Sequence, residues 1–192
     1  VGEELKIMDS ISVLKIYKKL TSKGIKLWLD GGWGVDALVG SQTRVHDDLD
    51  IVIESKNENL LLKLLEYEGY IKITNADQRP WNYVLKNKDE NKIDVHIIDL
   101  DEHGNGIYGP KENNVYYPAS SLEGSGYIEN YKVCCLSAEY QVVSHTGYTL
   151  CEKDYQAAFA TFSSNALAEC AQAIDSAICD CCNVTAVDSD SD

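Results

Sequence analysis

The feature that most constrains this chain is a pair of aspartates two apart, Asp48 and Asp50, in an aliphatic run downstream of Gly31-Gly32. The stretch reads Trp28-Leu-Asp30-Gly31-Gly32-Trp33-Gly34-Val-Asp36, then Arg44-Val-His46-Asp47-Asp48-Leu49-Asp50-Ile-Val-Ile53. On a strand, residues i and i+2 share a face. The carboxylates of Asp48 and Asp50 therefore converge, while Leu49 and Ile51 turn to the core and Asp47 points to solvent. Converging carboxylates repel each other unless a cation sits between them. Hard oxygen donors favour Mg²⁺, which takes a few carboxylates plus substrate phosphates rather than an all-protein cage. A later apolar run, Lys92-Ile-Asp94-Val-His96-Ile97, carries a third aspartate, with His96 on the face of Asp94.

Around these residues, hydrophobic spacing predicts the scaffold. Ile7, Ile11, Leu14, Tyr17 and Leu20 recur at helical intervals and predict a helix over 4–22, ended at Gly24. A short buried strand over 25–29 delivers the glycines, a short helix covers 33–39, and the aspartate strand covers 48–53. Leu60, Leu61, Leu64 and Leu65 mark a third helix closed at Gly69. Strands near 70–74, 81–86 and 92–98 complete an α+β class, with helices packed on a short mixed sheet.

Residues 99–131 are turn-rich, and Tyr108, Tyr116, Tyr117, Tyr127 and Tyr131 punctuate the turns. Tyrosines at hairpin positions serve packing more often than a ligand pocket. Ser137 is placed to cap a helix running to about Tyr148. After Lys153 there is neither Lys nor Arg. That acidic, Cys-containing tail keeps a rough apolar stripe through Phe159, Phe162 and Ile174 and is assigned no chemistry. The chain thus divides into 1–98, 99–155 and 156–192.

A chain of 192 residues can bury a core of its own. Its formal charge of -14 argues against a nucleic-acid partner, which needs a basic stripe. Acidity instead attracts metal ions and amine-bearing small molecules. The sequence holds no apolar run of membrane length and no signal-peptide pattern, which predicts a cytoplasmic protein with no membrane partner. The seven cysteines scatter between Cys134-Cys135, Cys151 and the tail, and no histidine follows His145, so reduced thiols are expected rather than a zinc site.

Gly31-Gly32 at a helix start, Asp48-Leu49-Asp50 on the next strand and Asp94 on a later one resemble the nucleotidyltransferase superfamily with a polymerase-β-like core. The Trp28-to-Asp36 block followed by Arg44-x-His46-x-Asp48-x-Asp50 resembles the antibiotic nucleotidyltransferases. A second block, Cys135-Leu-Ser137-Ala-Glu139 through His145-Thr-Gly147-Tyr148-Thr-Leu150, is similar to the small lincosamide nucleotidyltransferases. The 2″-aminoglycoside adenylyltransferases share the first block and match the second poorly. The likeness runs from about residue 12 to about 155.

The resemblance implies transfer of a nucleoside monophosphate, AMP from ATP or another nucleoside triphosphate, to a hydroxyl of a small antibiotic. It makes 1–98 the nucleotidyltransferase core and 99–155 the acceptor-binding region, and it allows a homodimer. Asp48, Asp50 and Asp94 are the expected catalytic residues and ligands of one or two Mg²⁺ ions. Asp94 could equally be the general base. Gly31, Gly32, Arg44 and His46 are expected at the nucleotide, and Trp33, His96, His145 and Tyr148 at the acceptor. Blander readings stand beside these: Asp30 as a turn cap, Asp36 as a first-turn helix charge, Trp28 and Trp33 as core, His96 as a satisfied polar contact, His145 as a structural helix residue. The expected acceptor is a lincosamide. The alternatives are an aminoglycoside, a protein or tRNA acceptor disfavoured by the acidity, and a non-catalytic nucleotide- or metal-binding module on the same scaffold.

Overall fold

A computed structural model describes residues 8–74 and 78–144. Ile7, His145, Tyr148 and the tail lie outside the described residues.

The first helix, α1 (Ser10–Thr21), begins where Asp9 caps it, its carboxylate accepting from the Ser12 amide at 2.7 Å. The expected start at residue 4 therefore moves inward. Val13, Leu14, Ile16, Tyr17 and Leu20 face the core, whereas Ile11, in the first turn, stands 75% exposed outside that stripe. Strand β1 (Leu27–Leu29) leads to α2 (Gly31–Val39), which starts on the glycines themselves rather than at residue 33. Strand β2 (Asp48–Glu54) carries the aspartate pair, and α3 (Glu58–Tyr67) buries Leu61 and Leu65 while leaving Leu60 exposed.

Strands β3 (Ile71–Lys72), β4 (Asn82–Lys86) and β5 (Lys92–Leu100) complete the sheet in the order β1-β2-β5-β4-β3. β2 and β5 run parallel, while β1 pairs with β2 and β4 with β5 antiparallel, so the sheet is mixed as expected. The turn-rich stretch supplies β6 (Gly106–Tyr108) and β7 (Tyr116–Tyr117), which extend the sheet from the far end of β5. A division at 98/99 thus falls inside β5. A separate hairpin, β8 (Ser125–Ile128) and β9 (Tyr131–Cys134), precedes α4 (Ala138–Ser144). Ser137 caps α4 through its hydroxyl, which accepts from the Tyr140 amide at 3.4 Å.

Alternation along β2 and β5 splits the core. Leu49, Ile51 and Ile53 join Ile93, Val95 and Ile97 in the main cluster with α1 and α3. On the opposite face, Val52 and Ile98 join Trp28, Tyr117, Leu122 and Leu136 in a smaller one. Trp28 belongs to this second core, its indole donating to the Leu122 carbonyl at 2.6 Å. Toward the N-terminal ends of β2 and β5 the same face turns polar, and the aspartates stand there. Cys134 and Cys135 are free thiols, and burial pushes that of Cys135 up to about 12. Among the described residues no helix is long and apolar enough to cross a membrane.

Candidate active site

Register does the assembling. Asp50 lies directly across from Asp94 in the β2–β5 ladder, and Val52 across from His96. On the other side of β5, Asn82 pairs with His96. Side chains two apart on one strand share a face, so Asp50, Asp94, His96 and Asn82 meet on one patch of sheet. One ligand atom from each of Asp50, Asp94 and His96 lies within 4.8 Å of the others. Asn82 Nδ2 donates to Asp94 Oδ1 at 2.7 Å. The His96 ring shares its Nδ1 with the Tyr117 hydroxyl at 2.8 Å, while Nε2 sits 3.7 Å from Asp94 Oδ1. Asp48 occupies the exposed start of β2, beside this trio but not within it.

Asp30 adds a fourth carboxylate. It caps α2, accepting from the Gly31 amide at 2.7 Å and from Gln141 Nε2 at 3.2 Å, and its Oδ2 lies 3.7 Å from His96 Nδ1. Burial and then the charges of Asp48 and Asp30 push Asp50 up to about 7, with His96 opposing and Asp94 adding. Burial also raises Asp48, helped by Asp94 and Asp47. Burial pulls His96 down, but Asp94, Asp30 and Asp50 outweigh it and leave the imidazole raised. The patch is therefore short of positive charge. A divalent cation suits such a donor set, two facing carboxylates and an imidazole with their ligand atoms already converged.

The two glycines are required by close approach. Gly31 has φ +53, and a Cβ there would stand 2.1 Å from Asp50 Oδ2. A Cβ on Gly32 would meet His46 Nδ1 at 2.2 Å and Arg44 at 2.9 Å. The space expected to stay open for phosphates is thus shared with Asp50 and His46, and the Gly31 amide is engaged by Asp30.

His46 differs most from expectation, and Trp33 takes its core reading rather than an acceptor contact. His46 is 2% exposed, and its Nε2 meets Asp36 Oδ2 at 2.5 Å. Asp36 Oδ1 in turn accepts from Thr43 N at 3.0 Å and Thr43 Oγ1 at 2.6 Å. Asp36 is structural, but as the buried clasp of the 40–47 loop rather than a first-turn charge. Trp33 is enclosed in the main core, its ring 4.8 Å from that of His46, so it does not border an open site. An α2 that starts on the glycines turns Trp33 inward. Arg44 remains half-buried beside Gly32, with Nη1 donating to the Val45 carbonyl.

Beyond His96 rises an aromatic wall. Tyr108 lies 5.5 Å from the His96 ring, Tyr117 meets Tyr108 edge-on at 5.6 Å, and Tyr140 of α4 lies 5.2 Å from Tyr117. Burial raises all three hydroxyls, that of Tyr140 to about 12, and the charge of Asp30 adds to each. Sequence reasoning missed Asn82, Gln141 and the site-facing part of Asp30, and it read Tyr117 as packing. The even spacing of Asn82 and Val84 was the one local hint, since it puts Asn82 on a definite strand face.

Comparison with known proteins agrees with this geometry. The family profile for aminoglycoside-2″-adenylyltransferases matches residues 12–159. A lincosamide resistance protein of Staphylococcus haemolyticus is 34% identical over 131 residues, 68% of this chain and 80% of that protein. A 2″-aminoglycoside nucleotidyltransferase of Escherichia coli is 35% identical over only 65 residues, 32% of this chain and 37% of that protein. Among solved structures, the lincosamide adenylyltransferase LnuA with lincomycin bound superposes with a TM-score of 0.70 at 28% identity, covering 81% of this chain and 97% of LnuA. ANT(2″)-Ia in complex with adenylyl-2″-tobramycin shares the fold, with a TM-score of 0.60 at 20% identity over 88% of this chain and 98% of its own. With a nucleotidyltransferase fold, a carboxylate patch at the Asp-x-Asp strand and relatives of this kind, the chain belongs to the aminoglycoside-2″-adenylyltransferase family of antibiotic nucleotidyltransferases.

Proposed function

We propose that this protein transfers AMP from ATP to a sugar hydroxyl of a lincosamide, releasing pyrophosphate, and that it does so in the cytoplasm, where ATP is supplied. The observation that carries the acceptor choice is the breadth of the lincosamide likeness, 80% of one relative's length, against 37% for an aminoglycoside relative of equal identity. ANT(2″)-Ia shares the fold over nearly its whole length, which supports the nucleotidyltransferase scaffold without favouring its acceptor.

In this reading Asp48, Asp50 and Asp94 hold one or two divalent cations, with Mg²⁺ the expected ion. A cation there offsets the triphosphate charge and the charge developing on the leaving pyrophosphate. The protein's own work is positioning, because phosphoryl-type transfer asks little covalent chemistry of side chains. Asn82 donates to Asp94 Oδ1 and so orients the carboxylate toward the attacking hydroxyl or the cation. Gly31 and Gly32 let the start of α2 approach the phosphates, where the helix N-terminus adds partial positive charge. Arg44 neutralises phosphate from beside Gly32, and His46 supports that edge from behind through its contact with Asp36. His96 and the Tyr108–Tyr117–Tyr140 wall border the acceptor.

The test is incubation with ATP and Mg²⁺ and either lincomycin or tobramycin, followed by mass spectrometry. Adenylylated lincomycin and unmodified tobramycin are expected. The reverse pattern would reassign the acceptor while leaving the transfer chemistry in place.

A further inference from the structure

We propose that His96 is itself a ligand of the divalent cation held by Asp50 and Asp94, which gives this site a nitrogen donor and a preference for first-row transition ions over Mg²⁺. The inference rests on the reading of Asp50 and Asp94 as metal holders and deepens it from an all-oxygen site to a mixed one.

Three observations carry it. The ligand atoms of Asp50, Asp94 and His96 already lie within 4.8 Å of one another, whereas Asp48 falls outside that trio. Two donors bound at about 2.1 Å to one ion stand roughly 3–4 Å apart, depending on whether they are adjacent or opposite. The separation of 3.7 Å between His96 Nε2 and Asp94 Oδ1 lies in that range and is too long for a hydrogen bond.

The ring is also held as a metal-bound imidazole is held. A ligating histidine engages its other nitrogen with a polar partner, which fixes ring orientation and tautomer. Here Nδ1 meets the Tyr117 hydroxyl at 2.8 Å, leaving Nε2 on the side of Asp94. Asp94 is oriented in the same manner by Asn82 at 2.7 Å. Both candidate ligands on β5 thus have a partner behind them, supplied by β4 and β7. Imidazole is a poor donor for Mg²⁺ and a good one for borderline ions such as Co²⁺ and Zn²⁺.

Mn²⁺ is the probe, because its electron spin reports a directly bonded nitrogen. The full chain, free of nucleotide, is loaded with Mn²⁺ and examined by electron spin-echo spectroscopy for ¹⁴N coupling. Wild type is expected to show imidazole coupling that His96→Gln abolishes. Mn²⁺ affinity in that variant should fall about tenfold or more, with Mg²⁺ affinity changing far less. Tyr117→Phe, which keeps the ring in its core, should retain the coupling and weaken Mn²⁺ only severalfold. Absence of coupling in the Mn²⁺-loaded protein, coupling that survives in His96→Gln, or failure to bind Mn²⁺ would each overturn the proposal. A parallel assay of Mg²⁺-supported transfer separates the two readings. Transfer without nitrogen coupling defeats the ligand role alone, and coupling without transfer defeats the function alone.

Discussion

Two histidine–carboxylate groupings sit on neighbouring elements of this protein, and they are built in opposite ways. Asp36 and His46 are both 2% exposed, in contact with each other, and Thr43 supplies two donors to the free oxygen of Asp36. Both oxygens of Asp36 and Nε2 of His46 have partners within the protein. Asp50, Asp94 and His96 are only partly buried, lie near Asp48 and Asp30, and have too few donors for the charge they gather. Residue types are the same in both. Closure by the protein's own partners makes the first a structural device, while the shortfall in the second leaves it to be completed by something bound.

Breaking the closed grouping should produce the largest effect on folding. Asp36→Ala strands the buried His46 ring and removes the acceptor that ties Thr43 to α2, and loss of one partner of a buried pair costs about 3–5 kcal/mol. Urea denaturation should show that loss, while His96→Gln in the open patch should move the midpoint little. Equal destabilisation by the two variants would erase the distinction.

The open grouping should respond with the opposite sign. The folded pKa of Asp50, pushed up to about 7, lies above the ordinary aspartate value of 3.8. A raised acid contributes stability below the unfolded value, and that contribution is lost as pH climbs through the folded one. Metal-free protein should therefore lose stability between about pH 4 and 7 through this group. Asp50→Asn should flatten that part of the profile and stabilise the metal-free protein at neutral pH, on the order of 1–3 kcal/mol. Thermal melts across pH with chelator present would check this, and an Asn variant less stable than wild type at pH 7 would contradict it.

The sequence made the acid patch legible and its surroundings much less so. Asp48, Asp50 and Asp94 could be found because strand parity acts over two residues, and Gly31-Gly32 because the need for a missing Cβ leaves its mark in the residue itself. Asn82 and Tyr117 reach the site through pairing with β5 and β6, a register set by the whole sheet. The burial of His46 depended on Asp36, ten positions away across a loop, and neither residue alone distinguishes a clasp from a phosphate contact. Ile11 was misread for a smaller reason, since helical spacing gives a stripe but not where a neighbour stops covering it.

A gentler perturbation sharpens the comparison at its supporting layer. Asn82→Ala leaves all three aspartates in place but removes the hydrogen bond that holds Asp94 Oδ1. Turnover should fall about tenfold, the usual cost of losing a partner that orients a working ligand. ATP affinity should be nearly unchanged in equilibrium binding, and an unchanged rate would show that Asp94 needs no orientation.

The smallest effect expected concerns salt. A lincosamide brings a single amine, so its KM should rise only slightly between low and physiological ionic strength, because few ion pairs are screened. A steep rise would point to a multiply charged acceptor.

In the function proposed above, the underneutralised patch on β2 and β5 performs the transfer. The most direct test compares wild type with Asp50→Asn for Mg²⁺-dependent transfer of labelled AMP from ATP to lincomycin, with both proteins shown folded by circular dichroism. Labelled lincomycin is expected from wild type, lost on chelation, with a rate lower by roughly 10²–10³-fold or more in the variant. A folded Asp50→Asn protein that transfers AMP at the wild-type rate would contradict it.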